Sequence, residues 1–201
     1  MSLRGTSQSP SKRPVRAKAL ISQLRKEQNP LKQKMLLLGY VTYRLEKEKQ
    51  RVYLVGGQAV ETYTAGQFTT GDIDITTTDS KATEKVLASL GFEQIGMIWL
   101  NKQLGVAVQI VGLFPNANLD KALTIEVGPY KVNVIGVEDL MVDRLAHVKF
   151  FKVAGDMEKA KVLYAIFKKQ IDEKYLRETA KKRGVEDMLH QATVPESPSQ
   201  A

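Results

Sequence analysis

Residues 52–76 read VYLVGGQAVETYTAGQFTTGDIDIT, and the order of their parts decides which folds can contain them. Val52 to Val55 closes a short β-rich run that begins at Arg51 and is stopped by Gly56-Gly57, after which Gln58 to Tyr63 carries a turn or two of helix. Asp72 to Thr78, DIDITTT, is a second β run. Alternate side chains on an extended segment share a face, so Asp72 and Asp74 emerge together while Ile73 and Ile75 point into the core. Two carboxylates aimed together repel, and a hard divalent cation between them relieves the repulsion. Mg²⁺ held by one or two carboxylates completes its octahedron with waters and phosphate oxygens, so the pair calls for a metal-bound triphosphate. Gly56-Gly57 lets backbone approach a ligand, and the helix start behind it offers free N–H groups to an anion. Taken singly, a Gly-Gly turn is common and a D-x-D on a strand is usually ordinary surface. Their order and spacing carry the information.

Upstream, Leu20, Ile21 and Leu24, then Leu31, Met35, Leu38, Val41 and Leu45, recur at three and four residues with Pro30 between the sets. This predicts two helices within residues 17–49, the second ending near Glu48. Downstream, Asp79 or Ser80 suits the N-cap of a helix through Leu90 that Gly91 ends. Phe92 to Ile95, Met97 to Asn101 and Val106 to Leu113 read as strands, and Leu123 to Val127 with Val132 to Ile135 reads as a hairpin around Gly128-Pro129. From Val137 the pattern is helical. One stripe is Leu140, Met141, Leu145, Val148 and Phe151; a second, past Gly155, is Met157, Ala160, Leu163, Ala165, Ile166 and Phe167; a third helix runs from about Ile171 to Arg183. The Met and Phe side chains of these stripes, Phe150 included, are expected in helix cores. The division is a polar basic lead over residues 1–17, a core with its N-terminal helices over 18–136, a helical part over 137–191 and a polar tail over 192–201. The fold class is α/β (α+β), a mixed twisted sheet followed by C-terminal helices.

The chain has 201 residues, 43% hydrophobic content and no cysteine. It is long enough for one substantial core, it has no disulfide framework or thiolate metal site, and the expected compartment is the cytoplasm. No apolar leader and no apolar run of roughly 18 residues is present, so no membrane span is expected. The net charge of +8 is uneven. Residues 1–50 hold twelve Lys or Arg against three Glu, and the remaining residues are close to balanced. That quarter is an electrostatic footprint for RNA or DNA, or simply a solvated tail and helix surface with only Tyr40 and Tyr43 interleaved. His147 lies near a helix core stripe and reads as a partly buried structural histidine. Trp99 reads as a strand packing residue.

A strand ending in Gly-Gly, a short helix beginning Q-A, and T-x-D-I-D some way on resemble the G-G-x-A … T-x-D-x-D signature of the nucleotidyltransferase superfamily, related to DNA polymerase beta. Gly56, Gly57, Ala59, Thr70, Asp72, Ile73 and Asp74 carry the likeness. Residues 31–183 are similar to the prokaryotic branch with toxin-antitoxin and abortive-infection members, in which a segment like VIGVEDLMVDRLAH, residues 134–147, opens the C-terminal helices. The resemblance implies transfer of a nucleoside monophosphate from an NTP to a hydroxyl acceptor. Asp72 and Asp74 would hold two Mg²⁺ ions that clamp the attacking and departing oxygens. It implies nucleotide binding by Gly56, Gly57, Thr69 and Thr70, and candidate triphosphate cations in Lys121, Lys131, Arg144, Lys149 and Lys152, with Arg144 in the place where relatives often carry a helix lysine.

The chain departs from that pattern in two places. Active relatives carry a third carboxylate on a later strand, and in VAVQIV, residues 106–111, Gln109 falls there. An amide cannot take a proton and is a poor Mg²⁺ ligand beside a carboxylate. Glu126 or Asp120 could substitute under another strand order. Ahead of T-x-D-x-D, where relatives often carry Arg or Lys, stand Gln67 and Phe68. A second reading follows: a degenerate member that binds a nucleotide, a nucleic acid or a protein partner and transfers nothing.

Overall fold

A computed structural model describes residues 16–112 and 118–194. The expected lead over 1–15 and the end of the tail, 195–201, lie outside the described residues, as does Leu113. Helix α1 (Ala17–Lys26) and helix α2 (Pro30–Glu46) bury Leu20, Leu24 and the run Lys34 to Thr42. Asn29 caps α2 by accepting from the Lys32 N–H, and Pro30 occupies the first turn, where its missing donor costs nothing. α2 stops at Glu46, two residues before the expected end, and the chain turns through Lys49 at φ +58°.

Seven strands form one mixed sheet in the order β3-β4-β5-β2-β1-β7-β6. They are β1 (Val52–Val55), β2 (Asp72–Thr77), β3 (Glu93–Ile95), β4 (Ile98–Asn101), β5 (Val106–Ile110), β6 (Leu123–Val127) and β7 (Tyr130–Val134). β1 runs antiparallel to β2 and parallel to β7, while β2 runs parallel to β5. The hairpins β3-β4 and β6-β7 form the two edges. β1 is buried along its whole length, which is why it reads VYLV with no alternation. Helix α3 (Gly56–Tyr63) follows β1 directly, so the two glycines form the helix's first turn; the expectation of a separate Gly-Gly turn is corrected here. Helix α4 (Ser80–Ser89) is capped by Asp79, which accepts from the Ala82 N–H.

Four helices complete the chain: α5 (Val137–Phe151), α6 (Gly155–Phe167), α7 (Glu173–Arg183) and α8 (Glu186–Thr193). The acids that open α5 clamp α7 to it. Glu138 accepts from the Asp172 N–H at 2.9 Å, and Asp139 accepts from the Tyr175 hydroxyl at 2.8 Å. α8 was not expected from the sequence, and Ala192, assigned above to the tail, lies in it, buried together with Leu189. Two further expectations fail. Phe150 and Phe151, in the last turn of α5, are 52% and 67% exposed rather than core. Ala165 and Ile166, placed in the second core stripe, are both exposed, Ile166 by 49%. Among the described residues no helix is long and apolar enough to cross a membrane.

Candidate functional site

The register of the central strands gathers the sequence candidates at one end of the sheet. β1 and β2 are antiparallel with Val55 opposite Asp74, so the end of β1 meets the beginning of β2. Asp72 and Asp74 are half-buried with Ile73 and Ile75 sealed beneath them, which places both carboxylates on one face. Gly56 has φ +63°, a conformation that side chains rarely adopt. A Cβ there would stand 2.8 Å from Asp74 Cβ, so Asp74 fills the space this glycine leaves. The next amide, Gly57 N–H, favours the charged form of the Asp74 carboxylate. Burial first, and then the charge of Asp72, push the Asp74 carboxyl above its ordinary range, against the pull of Gly57 and Arg144. The Thr70 hydroxyl donates to Asp72 Oδ1 at 3.3 Å and lies against Gly57, where a Cβ would come within 3.1 Å of it. Thr69 is exposed beside it.

β5 lies beside β2 in parallel register, with Gln109 opposite Asp74 and Ala107 opposite Asp72. Strands spaced about 4.8 Å apart bring the Gln109 side chain alongside that of Asp74. The strand order removes the two substitutes. Glu126 is on edge strand β6 opposite Lys131, with β7 and β1 between it and β2, and Asp120 lies beyond the far end of β1. At that far end a hollow of about 530 Å³ is lined by Glu46, Lys49, Arg51, Tyr53 and Asp120; its acids stand among cations, and the facing carboxylate pair is at the other end of β1.

Sequence reasoning missed the clamp that sets the T-x-D segment. Lys34 of α2 and Glu61 of α3 are both almost wholly buried and form an ion pair at 3.5 Å. Glu61 accepts from the Thr70 N–H at 3.2 Å, and the Lys34 ammonium donates to the Thr70 carbonyl. Both backbone groups of the residue before Gly71 and Asp72 are thereby held. Beside the site, the carboxamide of Gln58 is wholly buried and has no partner within the protein.

Helix α5 adds charge from the other side. Arg144 is buried, donates to Asp143 and to Asp156 Oδ2 at 3.1 Å, and contributes to the field at Asp74. Its Nε has no partner within the protein. Asp156, in the first turn of α6, also meets His147 Nδ1 at 3.0 Å and Lys159 at 2.7 Å. Three of the other candidate cations are committed elsewhere. Lys149 binds the Gly184 carbonyl and Asp187 at 2.8 and 2.7 Å, Lys152 donates to the Lys149 carbonyl, and Lys121 pairs with Asp172 at 2.8 Å. Lys131 lies exposed on β7. Trp99 is partly buried on β4 between Gln94 and Val108.

The donor set suits magnesium on its chemistry: hard carboxylate oxygens, Asp74 partly desolvated, and Thr70 and Gly57 fixing their orientation. Among the described residues no group of three or more His, Asp or Glu side chains is gathered closely enough to hold an ion. Two carboxylates completed by phosphate oxygens and water match a cation that arrives with its nucleotide.

No family model matches the sequence, and no curated protein matches it either. Solved structures do. An antigenic nucleotidyltransferase-like protein from Paracoccidioides brasiliensis superposes with a TM-score of 0.54 at 15% identity over 81% of this chain and 91% of that one. The antibiotic-resistance factor ANT(2'')-Ia in solution gives 0.51 at 13% identity over 79% of this chain and 96% of that chain. A crystal structure of ANT(2")-Ia in complex with adenylyl-2"-tobramycin gives 0.52 at 16% identity over 75% and 98%. These likenesses each cover three quarters or more of this chain, and with the Gly-Gly helix start abutting the D-x-D strand they identify the architecture: this chain has the nucleotidyltransferase fold.

Proposed function

We propose that the chain transfers a nucleoside monophosphate from an NTP to a hydroxyl acceptor. The observation that carries the reading is the packing of Asp74 against Gly56 with Asp72 on the same face, at the end of the sheet where α3 begins. Asp72 and Asp74 would hold Mg²⁺, which would neutralise charge on the phosphate oxygens of the nucleotide. The chain's own part is orientation. Thr70 and the Gly57 amide fix the two carboxylates, and the Lys34–Glu61 pair holds the segment that leads into them. Arg144 contributes a positive field at Asp74 that opposes the repulsion from Asp72. A second ion has only the Gln109 amide where a third carboxylate would stand.

That amide favours a second reading, a nucleotide-binding protein that transfers nothing. One experiment separates them: incubation with Mg²⁺ and each NTP, with tobramycin, tRNA and single-stranded DNA as acceptors, reading pyrophosphate release and labelled acceptor. Tobramycin comes first because ANT(2")-Ia was crystallised with its adenylyl derivative. The nucleic acids follow from the basic N-terminal quarter. Acceptor-dependent pyrophosphate supports transfer. Nucleotide binding with no pyrophosphate from any acceptor supports the second reading, and absence of nucleotide binding sinks both.

A further inference from the structure

Lys34 on α2 and Glu61 on α3 both end on Thr70, two positions ahead of Asp72. We propose that this buried pair positions the cation site: by holding Thr70 it sets the affinity of Asp72 and Asp74 for Mg²⁺, and half of it comes from α2, a helix that supplies none of the candidate ligands. The proposal rests on the reading that the two aspartates hold the ion, and it stands whether or not transfer follows.

Stability does not account for the pair. Lys34 is 7% and Glu61 4% exposed, so both have given up their water, and a contact of 3.5 Å is long for one that must offset that loss. Two apolar side chains of similar size would close the seam between α2 and α3 at least as well. The next residues along, Met35 and Thr62, meet there at 3.6 Å with no charge between them. What apolar side chains could not do is engage Thr70. Glu61 Oε2 takes both the Lys34 ammonium and the Thr70 N–H, at 3.5 and 3.2 Å, and the same ammonium donates to the Thr70 carbonyl. The three contacts close a ring that commits both backbone groups of one residue.

The third polar group of Thr70 carries that constraint into the site. Its hydroxyl donates to Asp72 Oδ1 at 3.3 Å, and its other side lies against Gly57. Pairing with Ala107 fixes the Asp72 backbone in the sheet, which leaves the direction of the carboxylate to Thr70. Gly71 between them gives no support, since it is exposed and a Cβ there would meet nothing within 4 Å. Opening the ring releases Thr70 within the irregular stretch between α3 and β2, and with it the hydroxyl that aims Asp72. Hydrogen-bond partners that orient metal ligands in this way are worth about 10–100-fold in metal affinity.

The test is the double variant Lys34→Met, Glu61→Leu, which removes both charges together and leaves no buried ion unpaired. It is read by urea unfolding and by hydrogen exchange of the Thr70 amide, both without metal, and by calorimetric titration of Mg²⁺ at fixed ATP. The urea midpoint should be at or above that of the unsubstituted protein, and the Thr70 amide should exchange faster. The Mg²⁺ needed for half of the ATP binding should rise by about 10–100-fold. Glu61→Gln, whose amide oxygen still accepts from the Thr70 N–H, should need less Mg²⁺ than the double variant. A folded double variant with an unchanged Mg²⁺ requirement overturns this proposal alone, as does a Glu61→Gln protein that needs as much Mg²⁺ as the double variant. Where the double variant does not fold, the unsubstituted protein decides: a protected Thr70 amide supports the ring, and one that exchanges like an unstructured amide overturns it. ATP binding by the unsubstituted protein that is absent at every Mg²⁺ concentration overturns the reading of Asp72 and Asp74 and this proposal together.

Discussion

Replacing Gly56 by alanine tests the tightest contact of the site. The left-handed backbone costs a side chain about 1–2 kcal/mol. The added carbon must also displace Asp74, whose Cβ is 2.8 Å from where it would stand. Gly56→Ala is expected to lower stability in urea unfolding by at least that much and to abolish Mg²⁺-dependent nucleotide binding in calorimetry. Asp74 itself carries a pH signature. Its carboxyl titrates above its ordinary value because burial and Asp72 disfavour the charge. Ionisation therefore costs the folded state more than the unfolded one, and the metal-free protein loses stability as pH rises through the raised value. Asp74→Asn should melt higher than the unsubstituted protein at neutral pH without metal, and the difference should vanish in acid. Equal melting temperatures at both pH values would contradict the buried like-charge pair. These residues were legible in the sequence because each signal is local: two acids at a spacing of two, and two glycines between a strand and a helix. Lys34 and Glu61 were not, since they meet from different helices across 27 positions, and Lys34 looked like one more cation in a basic quarter.

At the scale of elements, α5 and α6 are joined through Asp156, which three groups share: Arg144, His147 and Lys159. Burial alone would raise its carboxyl, but the hydrogen bonds from His147 and Lys159 and the Arg144 charge outweigh burial and hold it down at about 2. A depressed carboxyl stabilises the fold above its unfolded value and ceases to do so as pH falls through the folded one. The junction should therefore weaken between about pH 4 and pH 2. Asp156→Ala, which leaves Arg144 buried and short of a partner, should cost about 3–5 kcal/mol at neutral pH. It should also show a shallower acid dependence, read by urea titrations across that range. Gly39 makes a second junction: in mid-α2 a Cβ would lie 2.6 Å from Tyr130 Cβ on β7. Gly39→Ala should destabilise even though alanine is the better helix former. Element type was readable wherever periodicity ran long. α8 escaped because its eight residues hold only two buried side chains, Leu189 and Ala192, too few to make a pattern. Phe150 and Phe151 misled because helical spacing continues into the last turn of α5, where both rings are exposed.

For the molecule as a whole, the decisive fact is topological. Residues from β1, β2, β5 and α5 share one end of the sheet only because β5 crosses to lie parallel beside β2 and β7 lies parallel beside β1. Strand order is a property of long-range pairing that no local pattern records, so the meeting of Gln109 with Asp74 was reachable only through family resemblance. A ligand that joins these segments should stabilise them together. At a concentration one hundred times its Kd, MgATP should add about 2.7 kcal/mol. For a chain of this length that corresponds to a rise in melting temperature of about 5–11 °C. The shift should require both metal and nucleotide, because neither Asp72 and Asp74 alone nor the phosphates alone fill a magnesium shell. Asp72→Asn should remove it. Gln109→Glu should preserve the shift at saturation while lowering the Mg²⁺ needed for half of it by on the order of tenfold, equivalent to about 1.4 kcal/mol. A Gln109→Glu protein with an unchanged Mg²⁺ requirement would place that side chain outside the ion's reach, and the amide would then explain nothing about how this chain differs from the nucleotidyltransferases it resembles.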